Sequence, residues 1–149
     1  MKIDRLLHVN IRCSPSDLPQ LEKFYENALG MKSGYRPDFG RAGAWLYYDD
    51  EPLIHVNAHF PEGSIGKNRC HNGSVDHIAF KCTGSVELRA RLVRNGIDFQ
   101  EQNVENAGYQ IFITDPVGTR LEFNFPNREA PDSVALRAQT PAGLKYSSS

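Results

Sequence analysis

The 149 residues carry 17 Lys and Arg against 18 Asp and Glu, a formal net charge of −1, so no basic stripe is available to neutralise a phosphate backbone and nucleic acid is not an expected partner. No apolar run approaches the roughly 20 residues of a membrane-spanning helix, and Met1-Lys2-Ile3-Asp4-Arg5 lacks the apolar centre of a signal peptide, which predicts a cytoplasmic protein that meets no membrane. Cys13, Cys70 and Cys82 are odd in number and show no Cys-x-x-Cys spacing, so neither a disulfide framework nor a thiolate zinc site is expected.

Leu6 to Cys13 alternates apolar Leu7, Val9, Ile11 and Cys13 with polar His8, Asn10 and Arg12, as a half-buried strand requires. Ser14 to Asp17 supplies a turn and N-cap candidates, and Leu18, Leu21, Phe24, Tyr25 and Leu29 recur at helical spacing up to a C-cap at Gly30. Lys32–Tyr35, Gly43–Tyr48 and Pro52–His59 read as three short strands. After a polar loop from Pro61 to Ser74 the order returns: a strand over Val75–Cys82, a helix over Val86–Asn95, and strands over Asp98–Gln102, Tyr109–Thr114 and Thr119–Phe125, the last two joined at Asp115-Pro116-Val117-Gly118. From Pro126 the pattern dissolves into an extended arm and a frayed end. Cys13 and Cys82 fall on apolar strand faces and read as buried free thiols.

The two halves also share words. His8-Val9-Asn10-Ile11-Arg12-Cys13 returns 69 residues later as His77-Ile78-Ala79-Phe80-Lys81-Cys82, and Leu53-Ile54-His55-Val56-Asn57 returns 67 residues later as Arg120-Leu121-Glu122-Phe123-Asn124. The predicted fold is therefore α+β, one domain over residues 1–149 built from two β-α-β-β-β modules at about 3–60 and 74–126, with a tail at 127–149.

Each echo carries a residue able to bind metal. A lone His on a strand is more often a surface or hydrogen-bonded residue than a ligand. Here, however, His8, His55, His77 and Glu122 occupy duplicated positions, and the two-residue period puts all four on the face away from the helices. Three imidazoles and a carboxylate suit a divalent ion such as zinc, nickel, manganese or iron(II). His59, at a strand end, and His71, in a loop, read as solvated. Trp45 and Tyr47 share a strand face, Asn57 shares that of His55, and Tyr109 or Gln110 lies beside Glu122, so these are the candidates to line a small-molecule pocket. Arg12, Arg36, Arg41 and Arg120 are scattered and form no cationic cluster.

These residues resemble the vicinal oxygen chelate superfamily, which includes glyoxalase I, fosfomycin- and bleomycin-resistance proteins and extradiol ring-cleaving dioxygenases. The marks are His8 on the first strand, Phe24-Tyr25-Glu26-Asn27-Ala28-Leu29-Gly30-Met31 closing the first helix, Val75-Asp76-His77-Ile78-Ala79-Phe80 opening the second half, and Asp115-Pro116-Val117-Gly118 followed by Glu122, over about residues 3 to 126. The resemblance implies a cupped, barrel-like mixed sheet of paired modules, one divalent metal ion and a homodimer. Sites in such dimers are complete within one chain or exchanged between two. His8, His77 and Glu122 match the three usual ligand positions. His55 matches a fourth, where glyoxalase I has a carboxylate that moves protons, so His55 is expected as ligand or base, and His55 and Glu122 as the catalytic pair.

By this resemblance the expected activity is that of a metal-dependent lyase or isomerase that chelates a small oxygenated substrate. The alternatives are an extradiol-type iron(II) dioxygenase on the same ligands and a metal-free binding and resistance protein. Residues that would anchor glutathione find no match, and neither does a phosphonate-binding cationic site.

Overall fold

A computed structural model describes residues 1–2, 5–59, 61 and 75–138; Cys70, His71, most of the predicted loop before Ser74 and residues 139–149 lie outside them. The first half runs β1 (Val9–Cys13), α1 (Leu18–Leu29), β2 (Lys32–Ser33), β3 (Gly43–Tyr48) and β4 (Glu51–Ala58). The second runs β5 (Ile78–Lys81), α2 (Ser85–Arg94), β6 (Gln100–Val104), β7 (Gly108–Thr114) and β8 (Arg120–Phe125), and a short β9 (Leu136–Arg137) follows. The architecture is mixed α+β, with a four-stranded sheet ordered β1-β4-β3-β2 and a five-stranded sheet ordered β5-β8-β7-β6-β9.

The duplication seen in the sequence is a duplication of register. β1 runs parallel to β4 with Asn10 opposite His55, and β5 runs parallel to β8 with Ala79 opposite Glu122. The remaining pairs, β2 with β3, β3 with β4, β6 with β7 and β7 with β8, are antiparallel. Three predicted strands are shorter than their alternation suggests, the one expected over Val75–Cys82 forming only as β5 from Ile78 to Lys81. β1 starts at Val9, where pairing with β4 begins, and leaves Leu6 and Leu7 exposed. β2 stops at Ser33 because Gly34 closes its ladder onto the Trp45 carbonyl at 3.0 Å and Arg36-Pro37 then carries the chain away.

Helix α1 forms where its sequence predicts. Pro19 sits in its first turn, where its missing N–H costs nothing, and Gly30 ends it at φ 73°, donating to the Glu26 carbonyl while Met31 reaches back to Tyr25. The buried stripe Leu21, Tyr25, Ala28 and Leu29 packs with Ile11, Cys13, Ile54 and Val56. Leu92, Tyr109, Ile111, Leu121, Phe123 and Phe125 belong to the same buried cluster, each large side chain contributing about 1.5–3 kcal/mol of transfer free energy. One polar contact ties the halves through that core: the Tyr25 hydroxyl donates to Asp115 Oδ2 at 3.0 Å, while Asp115 Oδ1 accepts from the Val117 and Thr119 amides at 3.0 and 2.7 Å. Burial pushes the Cys13 and Cys82 thiols up to about 11, so neither is a ready nucleophile.

The arm after Pro126 is not a frayed end over its described length. Residues Asn127–Glu129 make a single 3-10 turn, and β9 adds to β6 in parallel, Asn103 opposite Leu136. Glu129 then caps a helix 44 residues away: its Oε2 accepts from the Gly84 and Ser85 amides at 2.8 and 2.9 Å, and its carbonyl accepts from Ser85 Oγ at 2.7 Å. A carboxylate on the first amides of α2 meets both its unpaired donors and the positive end of its dipole. Replacing Glu129 with Ala should lower the urea midpoint without changing the slope, a loss of about 1–2 kcal/mol.

Candidate functional site

On the four-stranded sheet, the cross-strand pairing of Trp45 with His55 lays one ring on the other, with centroids 4.0 Å apart and planes within 8°. His8, at the entrance to β1, stacks on the opposite face of His55 at 3.8 Å and 16°. His55 is 8% exposed and donates to the Pro52 carbonyl, while its Nε2 is buried with no hydrogen-bond partner among the described residues. The donated proton is therefore on Nδ1, and Nε2 keeps its lone pair. Burial lowers the pKa of His55 from its ordinary value, helped by the neighbouring charge of His8 and opposed by the bond to Pro52. Asn57, on the same face, donates to Asn10 Oδ1 at 3.1 Å, and the Tyr47 hydroxyl donates to the Tyr35 carbonyl at 2.8 Å, fastening the loop between β2 and β3.

The five-stranded sheet carries the matching pair. His77 Nε2 lies 2.9 Å from Glu122 Oε2, and His77 Nδ1 lies 2.7 Å from Asp76 Oδ2. Glu122 is 6% exposed, and its other oxygen accepts from Gln110 Nε2 at 2.8 Å and Asn124 Nδ2 at 3.1 Å. Gln110 is held in turn by Gln102 at 2.6 Å. The bond from His77, with Arg120 close by, keeps the Asp76 carboxyl below the usual carboxylate range. Arg120 itself spans Phe112, its guanidinium carbon 4.4 Å from the ring centre.

The four predicted ligands thus stand as two pairs, His8 with His55 on one sheet and His77 with Glu122 on the other. Among the described residues, no three His, Cys, Asp or Glu side chains gather as one ion would need. A cavity of about 500 Å³ opens elsewhere, between Met31, Phe80, Cys82, Arg91 and Phe123 on the helix side, and takes in none of the four.

Of the expected pocket residues, Trp45, Asn57 and Gln110 lie beside the pairs, Tyr47 packs over Gly34, and Tyr109 reaches neither pair. Tyr109 is wholly buried against Phe125 and hydrogen-bonds to Glu101, because the alternation of β7 that turns Gln110 toward Glu122 turns its neighbour into the core. His59 is exposed. Asp76 and Asn124 join the site without being singled out by the sequence reading, although signals exist: Asp76 adjoins His77, and Asn124 shares the face of Glu122 two residues on.

The residues fit a divalent ion on chemical grounds. An imidazole ligand offers one nitrogen and has the other oriented by a carbonyl or carboxylate, as Pro52 orients His55 and Asp76 orients His77, and a carboxylate ligand is steadied by amide donors, as Glu122 is.

The family model of the Glyoxalase/Bleomycin resistance protein/Dioxygenase superfamily matches residues 5–123. The chain belongs to this superfamily. Within that superfamily it is similar to Glyoxylase I 4 of Arabidopsis thaliana, 29% identical over 126 residues that cover 82% of this chain and 71% of that protein. Among solved structures it shares its fold with a glyoxalase family protein from Bacillus anthracis (TM-score 0.67, 20% identity, 85% and 98% of the two chains covered). It also matches a variant of the fosfomycin-resistance protein FosX from Listeria monocytogenes, solved with Mn(II) and a dihydroxypropylphosphonic acid (TM-score 0.57, 18% identity, 83% and 93% covered). Superfamily members bind small molecules, commonly hold a divalent metal and are often dimers. No helix among the described residues is long and apolar enough to cross a membrane.

Proposed function

We propose that this protein is a divalent-metal-dependent lyase or isomerase of glyoxalase type, acting on a small oxygenated substrate at a centre built between two copies of the chain. The observation that carries the reading is the half-site geometry: His77 and Glu122 meet on one sheet, His8 and His55 stack on the other, and the two pairs do not converge within one chain. In a homodimer, His8 of one copy would join His77 and Glu122 of the other as ligands. A bound divalent ion would supply Lewis-acid stabilisation of negative charge on two neighbouring substrate oxygens. His55 is the group to move the proton. Its Nε2 lone pair is free, its Nδ1–H is held by Pro52, and its stack between His8 and Trp45 fixes the ring plane. Free Cys13, buried, and free Cys82, half-buried, need no oxidising compartment, which supports a cytoplasmic setting.

Mixing tests the reading. His8→Ala and Glu122→Ala chains, each expected to be metal-poor alone, should regain metal when co-expressed, because a heterodimer of the two carries one centre with both lesions and one with neither. Elemental analysis of the separated heterodimer should find about half the wild-type metal. No recovery would sink the shared centre. Iron in the wild type would turn the reading to an extradiol-type dioxygenase, and no metal even after reconstitution would leave a small-molecule binding protein.

A further inference from the structure

Arg36 lies in the loop between β2 and β3, and its side chain folds back onto the sheet. Its seat is Gly43: a Cβ there would stand 3.1 Å from Arg36 Nη2, 3.2 Å from Cζ and 2.2 Å from the Val56 carbonyl oxygen, so only glycine lets the guanidinium rest against β3. Gly43 is two residues from Trp45 and opposite Asn57, which puts the guanidinium on the face that carries Trp45 and His55. Phe39 closes it from the other side, its ring centre 5.0 Å from the guanidinium carbon and 6.3 Å from the Trp45 ring.

Within this seat Arg36 is underused. Nη1 donates to the Arg41 carbonyl at 3.1 Å, but Nε and Nη2 are buried with no hydrogen-bond partner among the described residues. A guanidinium cannot shed its proton to relieve such a position. A buried cation with two idle donors costs stability unless something pairs with it. The two idle donors are neighbours along one edge of the fork, the edge that meets both oxygens of a carboxylate in parallel.

We propose that Arg36 is the anion anchor of this site: its Nε and Nη2 take the carboxylate of a small monoanionic substrate whose apolar or aromatic body lies against Trp45. Phe39, 53% exposed, would swing aside to admit it. The assignment rests on reading this face as the substrate side of the proposed centre, and it deepens that reading by naming the substrate as a carboxylate.

Trp45 is the only tryptophan of the chain and serves as the reporter. Its fluorescence is followed while the protein, as purified and again after chelator treatment, is titrated with sodium benzoate or with benzyl alcohol at constant ionic strength. Benzoate should give a saturable change in both preparations, at least ten-fold weaker in Arg36→Gln and partly kept in Arg36→Lys, and benzyl alcohol should give none in the same range. Arg36→Gln should melt no lower than wild type, because it removes an unpaired buried charge. Equal benzoate binding by Arg36→Gln, equal response to the alcohol, or a clear drop in melting temperature would overturn the assignment, the last by making Arg36 a structural residue. Benzoate binding that needs Arg36 in a protein that never takes up metal would remove the metal reading and leave the anchor standing; metal uptake with no benzoate response would do the reverse.

Discussion

Glu122→Ala should be purified with essentially none of the metal held by wild type, and His77→Ala likewise, with both variants keeping their far-UV circular dichroism. Glu122 faces away from the packed layer, so truncating it opens no core cavity. The change removes the partner of His77 Nε2 at 2.9 Å and the carboxylate that Gln110 and Asn124 hold in place. Those two amides give the experiment a graded arm. Gln110→Ala leaves all candidate ligand atoms present but removes one of the two amides that hold the carboxylate oxygen, and should weaken metal affinity by about 10–100-fold in a chelator competition. Full metal occupancy in Glu122→Ala would show that the ligand assignment is wrong; a Gln110→Ala affinity equal to wild type would show that the amide steadies only the fold.

The largest stability loss should come from Asp115→Ala. It strands the Tyr25 hydroxyl and the Val117 and Thr119 amides in the core, on the order of 3–5 kcal/mol from unmet hydrogen bonds, or roughly 10 °C in melting temperature for a chain of this size. Asp115→Asn keeps the shape and one acceptor and should lose far less. The comparison also carries a pH signature. Burial raises the Asp115 carboxyl above its ordinary value, against the hydrogen bonds from Thr119, Tyr25 and Val117. With the folded pKa above the unfolded one, the stabilisation is fully present at acid pH and is lost as pH rises through the raised value, so the advantage of wild type over Asp115→Asn should shrink toward neutrality. His55 carries the opposite sign: its folded pKa lies below 6.5, so the stability it contributes falls as pH drops below that value. Urea titrations at several pH values measure both, and an advantage over Asp115→Asn that grows with pH would contradict the raised carboxyl.

The repeat was legible because it is written in local pattern. Period-2 alternation marked the strand faces that carry His8, His55 and Glu122, and helical spacing with a closing glycine marked α1, since neither needs knowledge of anything distant. The capping of α2 by Glu129 was not legible, because the donor and acceptor are 44 residues apart and no local rule pairs them. Tyr109 was misplaced by choosing a strand without choosing its face. Arg36 looked like one of several scattered cations, since its lack of a hydrogen-bond partner for Nε and Nη2 among the described residues is a fact of three dimensions: it depends on the space left by Gly43 and the cover of Phe39.

Both sheets finish on one side with a strand of only two residues, β2 or β9, and on the other with β1 or β5. A two-residue border offers an incoming chain little backbone to grip, whereas β1, with five residues, and β5, with four, present longer rims. Any association by strand addition is thereby steered to the two rims nearest the histidines and discouraged everywhere else. Strand addition at a blunt border would gain few ladder hydrogen bonds, so an open-ended ribbon would have little to grow from.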